Sequence, residues 1–202
     1  MSSISASVPG FTLLSVQLIT VTGAGTVTYP SGCRFVKLKG KAGGGSGTWT
    51  NDGAFHNPGA EGAPFEHWFI PTVATDNYSV GAGGAAPVAG ANGNNGGNTT
   101  VNVNGVLAIT ANGGKGGMFS ATAATQVSGG NCAGANLNFA GKGGGNANTS
   151  ATFSYNGGGS QSGAANAANT VGAGLGDGGP GNGFNSSFTA GGNGYLYYEF
   201  WG

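Results

Sequence analysis

The chain has 202 residues, including 46 glycines and 7 prolines, and its six basic residues are balanced by six acidic ones. So much glycine is typical of low-complexity disorder, yet disordered chains are usually poor in hydrophobic residues and carry a high net charge. Because 38% of the residues are hydrophobic and 10% are aromatic, we expect an ordered protein. The lack of excess positive charge excludes nucleic acid as an expected partner.

The N-terminal part is predicted to form β-strands. Leu14, Val16 and Leu18 alternate with polar residues, which is the pattern of a half-buried strand. A short strand at 26–29 follows and ends at a Pro-Ser-Gly turn. Alternation returns at 33–40, with one apolar face and one largely polar face.

More strands are predicted farther along the chain, at 65–70, 77–81, 99–103, 106–110 and 195–201. Asn104-Gly105 lies between two alternating runs, and Asn-Gly there is a strong hairpin signal. The last strand, YLYYEFW, is so aromatic that we expect it to pair inside a sheet.

Glycine-rich tracts occupy most of the remaining chain. In GANGNNGGN (90–98), Gly90, Gly93 and Gly96 recur at every third residue. No tract has the 3.6-residue apolar period of a helix, and glycine costs about 1 kcal/mol per helical position. Three residues per turn is the period of polyglycine II, an extended helix without internal hydrogen bonds. Such helices must pack side by side so that each amide bonds to a neighbour, and we expect the strands to serve as their template.

The titratable residues do not predict an enzyme. Asp52, His56 and Glu61 share the loop from Asn51 to Pro64, where a carboxylate–histidine pair could act in acid–base chemistry, but a solvated loop is the commoner outcome. No Gly-x-Ser-x-Gly motif occurs, and no Gly-Lys pair has the glycine or the hydroxyl residue of a phosphate-binding loop. We therefore expect no catalytic residues and no cofactor.

Two cysteines and two histidines do not make a metal site at this spacing, so none is expected. Cys33 and Cys132 are expected as buried free thiols, with a disulfide as the alternative.

Ring side chains between the glycine tracts are candidates for receptor contact, because aromatic anchors dominate binding hot spots. The candidates are Trp49, Phe55, His56, Phe119, Phe139, Phe153, Tyr155 and Phe184. The alternative is that these rings cap the glycine bundle and fill gaps in it.

Four segments together resemble the glycine-rich domains of bacteriophage tail fibres and related virion adhesins. In chain order they are VQLITVTGAGTVTYPSGCRFVKLKGKAGGGSG, NYSVGAGGAAPVAGANGNNGGNTTV, LAITANGGKGG and GGNGYLYYEFW. The resemblance implies a single all-β domain over 1–202, with a small β-sandwich-like base, an inserted polyglycine II bundle and no α-helix. Strands are expected mainly within 11–40, 65–81, 99–110 and 195–201, and the bundle mainly within 41–64, 81–98 and 111–194.

The same resemblance implies a non-enzymatic virion surface protein, assembled in the host cytoplasm. It would be a tail-fibre tip or spike attached through its β-base to another virion protein. Loops at the far end of the bundle would contact a host receptor, either a sugar or an outer-membrane protein. The chain shows no long N-terminal shaft, so we expect a separate subunit, and trimers are common among such proteins.

Three alternatives remain open. A capsid decoration or head-fibre protein would coat the particle without binding a receptor. An ice-binding protein would use a flat face of bundled glycine helices, against which the interspersed Phe and Asn residues argue. A glycine-rich matrix protein would usually have a secretion signal, and none is evident.

Overall fold

Two antiparallel sheets of five strands each form one end of the molecule. The computed structural model describes residues 10–48, 57–119, 127–144, 175–176 and 190–202. These ranges contain no helix, which confirms the all-β prediction for them, and hence no helix with the length and hydrophobicity needed to cross a lipid bilayer.

The strands in chain order are β1 (Leu13–Ile19), β2 (Gly23–Thr28), β3 (Phe35–Lys41), β4 (Pro64–Phe69), β5 (Thr75–Val80), β6 (Thr99–Val103), β7 (Leu107–Ala111), β8 (Cys132–Ala133), β9 (Leu137–Asn138) and β10 (Tyr195–Trp201). Their order is β1-β10-β3-β4-β9 in sheet A and β2-β5-β6-β7-β8 in sheet B. The aromatic strand β10 lies between β1 and β3, which confirms that it pairs inside a sheet.

Alternating side chains of the two sheets meet in one hydrophobic core. Val36 and Leu38 of β3 and Tyr198 of β10 point into it from sheet A, and Val101 and Ile109 enter from sheet B. All five are fully buried. The predicted apolar face of β3 is therefore the face that packs on the second sheet.

The prediction of which face of β1 is buried was wrong. Leu14, Val16 and Leu18 were expected to be buried, but all three are exposed. Register explains the difference, because Ile19 pairs with buried Leu196 and so takes the core side of this edge strand. A period-two pattern identifies a strand but does not say which face meets the core.

The hairpin between β6 and β7 forms where Asn104-Gly105 predicted it. Asn104 has φ 53° and Gly105 has φ 68°. A type I′ hairpin turn requires positive φ at both central residues. The Asn104 side chain also accepts a hydrogen bond from the Thr72 N–H (2.8 Å). The hairpin therefore lies against the β4–β5 loop at the end of the sandwich.

Each strand from β3 to β10 is preceded or followed by one extended segment. These segments lie at the end of the sandwich opposite to the β6–β7 hairpin. We call these eight segments the glycine threads. They are 42–48, 57–63, 81–86, 92–98, 112–118, 127–131, 140–144 and 190–194.

Hydrogen bonds between threads repeat every three residues. The N–H groups of thread 42–48 donate to three other threads: Gly43 to Gly97 (3.0 Å), Ser46 to Asn94 (2.8 Å), Gly45 to Ala60 (2.9 Å), Thr48 to Asn57 (2.9 Å) and Gly44 to Gly192 (2.9 Å). Residues three apart thus donate to the same neighbour, as side-by-side helices with three residues per turn require. That the threads are polyglycine II helices stays a prediction, which this period supports.

Threads 42–48 and 57–63 are buried along their whole length. Residues 57–63 lie in the range 41–64 that was predicted to belong to the glycine bundle, and the alternative of a solvated loop is wrong for them. They form a central thread whose N–H groups donate to surrounding threads, for example Ala60 to the Lys115 carbonyl (2.8 Å). Glu61 is buried within it, whereas Asp52 and His56 lie outside the described residues.

Candidate binding surfaces

The structure describes two of the predicted receptor contacts and separates them. Phe119 ends thread 112–118 at the far end of the bundle, where it is half-buried. Phe139 is exposed, but its N–H donates to the Pro64 carbonyl (3.2 Å) at the start of β4, which places it beside the sheets. Outside the described residues lie Trp49, Phe55, His56, Phe153, Tyr155 and Phe184.

Two apolar side chains that the sequence analysis missed are exposed at the far end. Val88 is 76% exposed in the turn between threads 81–86 and 92–98, and Met118 is 47% exposed beside Phe119. Gly90 allows this turn, because its φ of 74° is disfavoured for other residues. In the sequence, the exposure of Val88 was indicated only by its position between two glycine tracts, which is typical of a loop tip.

Asparagine side chains join two outer threads in a regular ladder. The Oδ1 atoms of three asparagines on thread 92–98 accept hydrogen bonds from N–H groups at the same spacing on thread 112–118 and just beyond it: Asn92 from Phe119 (2.6 Å), Asn95 from Gly116 (2.9 Å) and Asn98 from Gly113 (3.0 Å). We call these three residues the asparagine ladder. It satisfies amides for which no carbonyl of another described thread is an acceptor.

The ladder explains the triplets of GANGNNGGN. Gly93 and Gly96 turn toward the central thread 42–48, where a side chain would overlap the carbonyl oxygens of Ser46 and Gly43. The ladder asparagines occupy another of the three positions. Gly97 occupies the third position and donates to the Ala82 carbonyl (2.7 Å).

A polar groove runs beside the ladder. Thread 112–118 forms its floor, and threads 92–98 and 127–131 form its walls. It consists of two adjoining cavities of about 450 and 480 Å³ that share Asn95, Lys115 and Ser128. We call it the ladder groove. Among the described residues, its lining contains no Asp or Glu and no aromatic ring.

A buried acid lies between the two sheets. Asp76 is fully buried, and its Oδ1 accepts from the Asn104 N–H (3.1 Å). Burial raises the pKa of Asp76, although the nearby hydroxyls of Tyr29 and Tyr198 and the Asn104 amide act in the opposite direction. Burial also raises the pKa of both tyrosines. These residues lie in the core, away from the candidate binding surfaces.

The pKa of Asp76 predicts a pH-dependent stability difference. An acid whose folded pKa exceeds its unfolded value of 3.8 stabilises the fold below that pH, and the stabilisation is lost as pH rises through the folded pKa. The free energy of unfolding of the parent, minus that of Asp76→Asn, should therefore decrease from pH 3.5 upward. Urea denaturation at several pH values measures it, and titration of His67 cancels because both proteins contain it. A difference that stays constant or increases with pH would contradict the prediction.

No group of three or more His, Cys, Asp or Glu residues comes together to hold a metal within the described ranges. His67 is buried on the inner face of β4, where its Nδ1 accepts from the Asn136 N–H (3.1 Å) and burial lowers its pKa. Cys33 and Cys132 are free, as predicted, but half-buried rather than buried. Burial raises the pKa of both thiols, that of Cys132 to about 11, so both stay protonated at neutral pH.

Comparison with known proteins agrees with this architecture. The family model described as a glycine-rich domain matches residues 20–201, which include β2 to β10 and all eight glycine threads. A search of the curated proteins found no match to the chain. The chain therefore belongs to the glycine-rich domain family.

Proposed function

We propose that the protein is a non-enzymatic surface protein of a bacteriophage virion, the tip of a tail fibre or spike, which attaches to a host receptor. The observation that carries the proposal is the separation of two ends. The sheets form one end, and the glycine threads lead away from them to exposed Val88 and Met118, beside Phe119.

Hydrogen bonds between the threads support a binding role for the far end. Thread 42–48 bonds to five other threads, because it donates to three and accepts from 81–86 and 112–118, so the loop bases are held in fixed positions. A receptor that meets a fixed surface does not have to order it first, which lowers the entropic cost of association. Exposed apolar side chains on such a support supply the contact area that binding needs.

The opposite end supports attachment to another protein of the same particle. Leu14, Val16 and Leu18 form an exposed apolar row on the edge strand β1. Edge strands with exposed apolar side chains pair or pack readily with other chains. A neighbouring virion protein, or a second and third copy of this chain, would cover this row.

The ice-binding alternative is less well supported. It requires a flat face of small residues, but the described exterior of the bundle is interrupted by the ladder groove and by protruding Val88. Thermal hysteresis of a dilute solution would separate that activity from host attachment.

Competition for host cells tests the proposal. The purified protein should block adsorption of the virus that encodes it. The double variant Val88→Asp/Met118→Asp should block at least about tenfold less well, because each carboxylate opposes burial in the contact. Val106→Asp is the matched control, since Val106 is 90% exposed at the β6–β7 hairpin, at the other end of the molecule.

Immunogold labelling with an antibody against the protein completes the test. Label at fibre or spike tips supports the proposal. Label over the whole capsid would favour the decoration protein instead, and unlabelled virions, or a parent protein that fails to compete in excess, would contradict the proposed role.

A further inference from the structure

The asparagine ladder presents a row of hydrogen-bond donors to the ladder groove. The Oδ1 atoms of Asn92, Asn95 and Asn98 accept backbone N–H groups, which fixes the amide planes. Their Nδ2 groups make no hydrogen bond to another described residue, and all three side chains are exposed. At the rise of about 3.1 Å per residue of polyglycine II, these donors recur roughly every 9 Å.

The charge of the groove favours an anion. Lys115 projects from the floor, and its side chain forms no ion pair with a described residue. The described wall residues that line the groove are Asn, Ser and Gly, together with Val127. An acidic ligand would therefore meet an ammonium and several amide donors, with no carboxylate from the described lining facing it.

The same lining disfavours other extended ligands. Single-stranded nucleic acid stacks its bases on aromatic rings, and the part of the groove lining that the structure describes has none. A peptide strand brings one N–H donor for every carbonyl, but the ladder oxygens already accept backbone N–H groups. Sugar hydroxyls can accept as well as donate, so a carbohydrate fits a donor-rich wall better.

We propose that the ladder groove binds an extended acidic oligosaccharide, with carboxylate groups near Lys115 and with ring or hydroxyl oxygens on the Nδ2 donors of the ladder. The groove would serve the host attachment proposed above, and its biological role rests on that proposal. The groove adjoins the apolar far end, since Met118 lines it and Asn92 accepts the Phe119 N–H. The groove residues and the acidic character of the ligand did not follow from the sequence.

Isothermal titration calorimetry with oligogalacturonates of four to eight sugars tests the groove. We expect binding with a Kd of roughly 0.1–1 mM, about −5 kcal/mol, that weakens as salt is added. Maltoheptaose, which is neutral, should bind at least about tenfold more weakly, and so should poly-glutamate, which carries the charge on a peptide.

Asn95→Asp is the decisive variant. Its carboxylate keeps an acceptor for the Gly116 N–H but removes the Nδ2 donor and adds a negative charge. The Kd for oligogalacturonate should rise at least about tenfold, because the variant loses one hydrogen bond to the sugar and its new negative charge repels the ligand carboxylates. Lys115→Gln should act in the same direction. Asn102→Asp changes the net charge equally but lies on an exposed position of β6, and its Kd should stay within about twofold of the parent.

The outcomes separate this inference from the proposed function. No oligogalacturonate binding by the parent, equal binding of poly-glutamate, or unchanged binding by a folded Asn95→Asp protein would overturn the groove assignment. If Asn95→Asp loses oligosaccharide binding while the protein still blocks virus adsorption, the groove assignment stands and the receptor contact lies elsewhere. If the groove binds oligosaccharide but virions do not carry the protein, only the proposed function fails.

Discussion

Replacing Gly96 with alanine is expected to lower the free energy of unfolding by about 4 kcal/mol, because overpacking typically costs about 1–3 kcal/mol and lost hydrogen bonds add to that cost. A Cβ at this position would overlap the carbonyl oxygen of Gly43 and lie 2.7 Å from that of Gly44. Thread 92–98 would have to move away from the central thread. The hydrogen bonds from Gly43 to Gly97 and from Ser46 to Asn94 would then stretch or break, and unpaired buried amides cost about 1–3 kcal/mol each.

Gly97→Ala is the matched control on the next residue of the same thread. A Cβ there would lie 3.0 Å from the Ala82 nitrogen, so a displacement of a few tenths of an ångström would accommodate it. Alanine also loses less conformational entropy on folding than glycine, which offsets part of that cost. We expect this variant to remain within about 1 kcal/mol of the parent.

Chemical denaturation of both variants measures the difference in their free energies of unfolding, and thermal denaturation measures the difference in Tm. Since about 1 kcal/mol shifts Tm by roughly 2–4 °C in a domain of this size, the two melting temperatures should differ by roughly 6–12 °C. Equal stability of Gly96→Ala and Gly97→Ala would show that the threads are not in close contact at Gly96.

Breaking the ion pair between Lys41 and Glu61 should also lower the free energy of unfolding, by about 3–5 kcal/mol for either single substitution. Lys41 Nζ and Glu61 Oε1 are 2.5 Å apart, and both side chains are only 11% exposed. Glu61 Oε2 also accepts the Lys142 N–H (2.8 Å), so the pair joins the end of β3 to thread 57–63 and to the thread that contains Lys142. Removing one charge leaves the other in a site with little water.

A double-mutant cycle isolates the pair. Glu61→Gln keeps an oxygen for the Lys142 N–H, and Lys41→Met keeps most of the apolar stem. The double variant should be less destabilised than the sum of the single ones, by about 1–3 kcal/mol, because each single variant already loses the same Lys41–Glu61 interaction.

The more exposed pair between Lys39 of β3 and Glu66 of β4 provides the comparison. Its charged atoms are 3.2 Å apart, but its side chains are 37% and 32% exposed. Lys39→Met or Glu66→Gln should cost at most about 1 kcal/mol. Additive effects at Lys41 and Glu61, or a cost no larger than that of the exposed pair, would contradict the interpretation.

The strands were predictable because their signals are local. Alternation marked β3, Asn104-Gly105 marked the β6–β7 hairpin, and the aromatic run marked β10, and all three are present in the structure. The buried face of β1 was not predictable, because Ile19 takes the core side through its pairing with Leu196 rather than through its own pattern.

The glycine threads could be predicted as a class but not in their pairing. The triplet period of 90–98 indicated extended helices with three residues per turn. The partner of each amide depends on how separate threads are aligned, and no local pattern records that alignment. Asn95 therefore gave no sign that it accepts the Gly116 N–H, and Glu61 gave no sign that it meets Lys41.

The candidate site was predicted least well. Composition directed attention to aromatic residues, yet Phe139 lies beside the sheets, and the exposed side chains described at the far end include Val88 and Met118. Which loop residues come together depends on which strand each thread continues, and that is a property of sheet topology.

Amide hydrogen exchange in the intact protein tests most directly whether the threads satisfy one another's backbone groups. The N–H groups of Gly43, Gly45, Ala60 and Gly114 donate to neighbouring threads at 2.8–3.0 Å. We expect them to exchange as slowly as the amides of Leu38 and Tyr198 in the sheet core, because both should open only on global unfolding. Protected strands with thread amides that exchange at the rate of an unfolded chain would contradict the account.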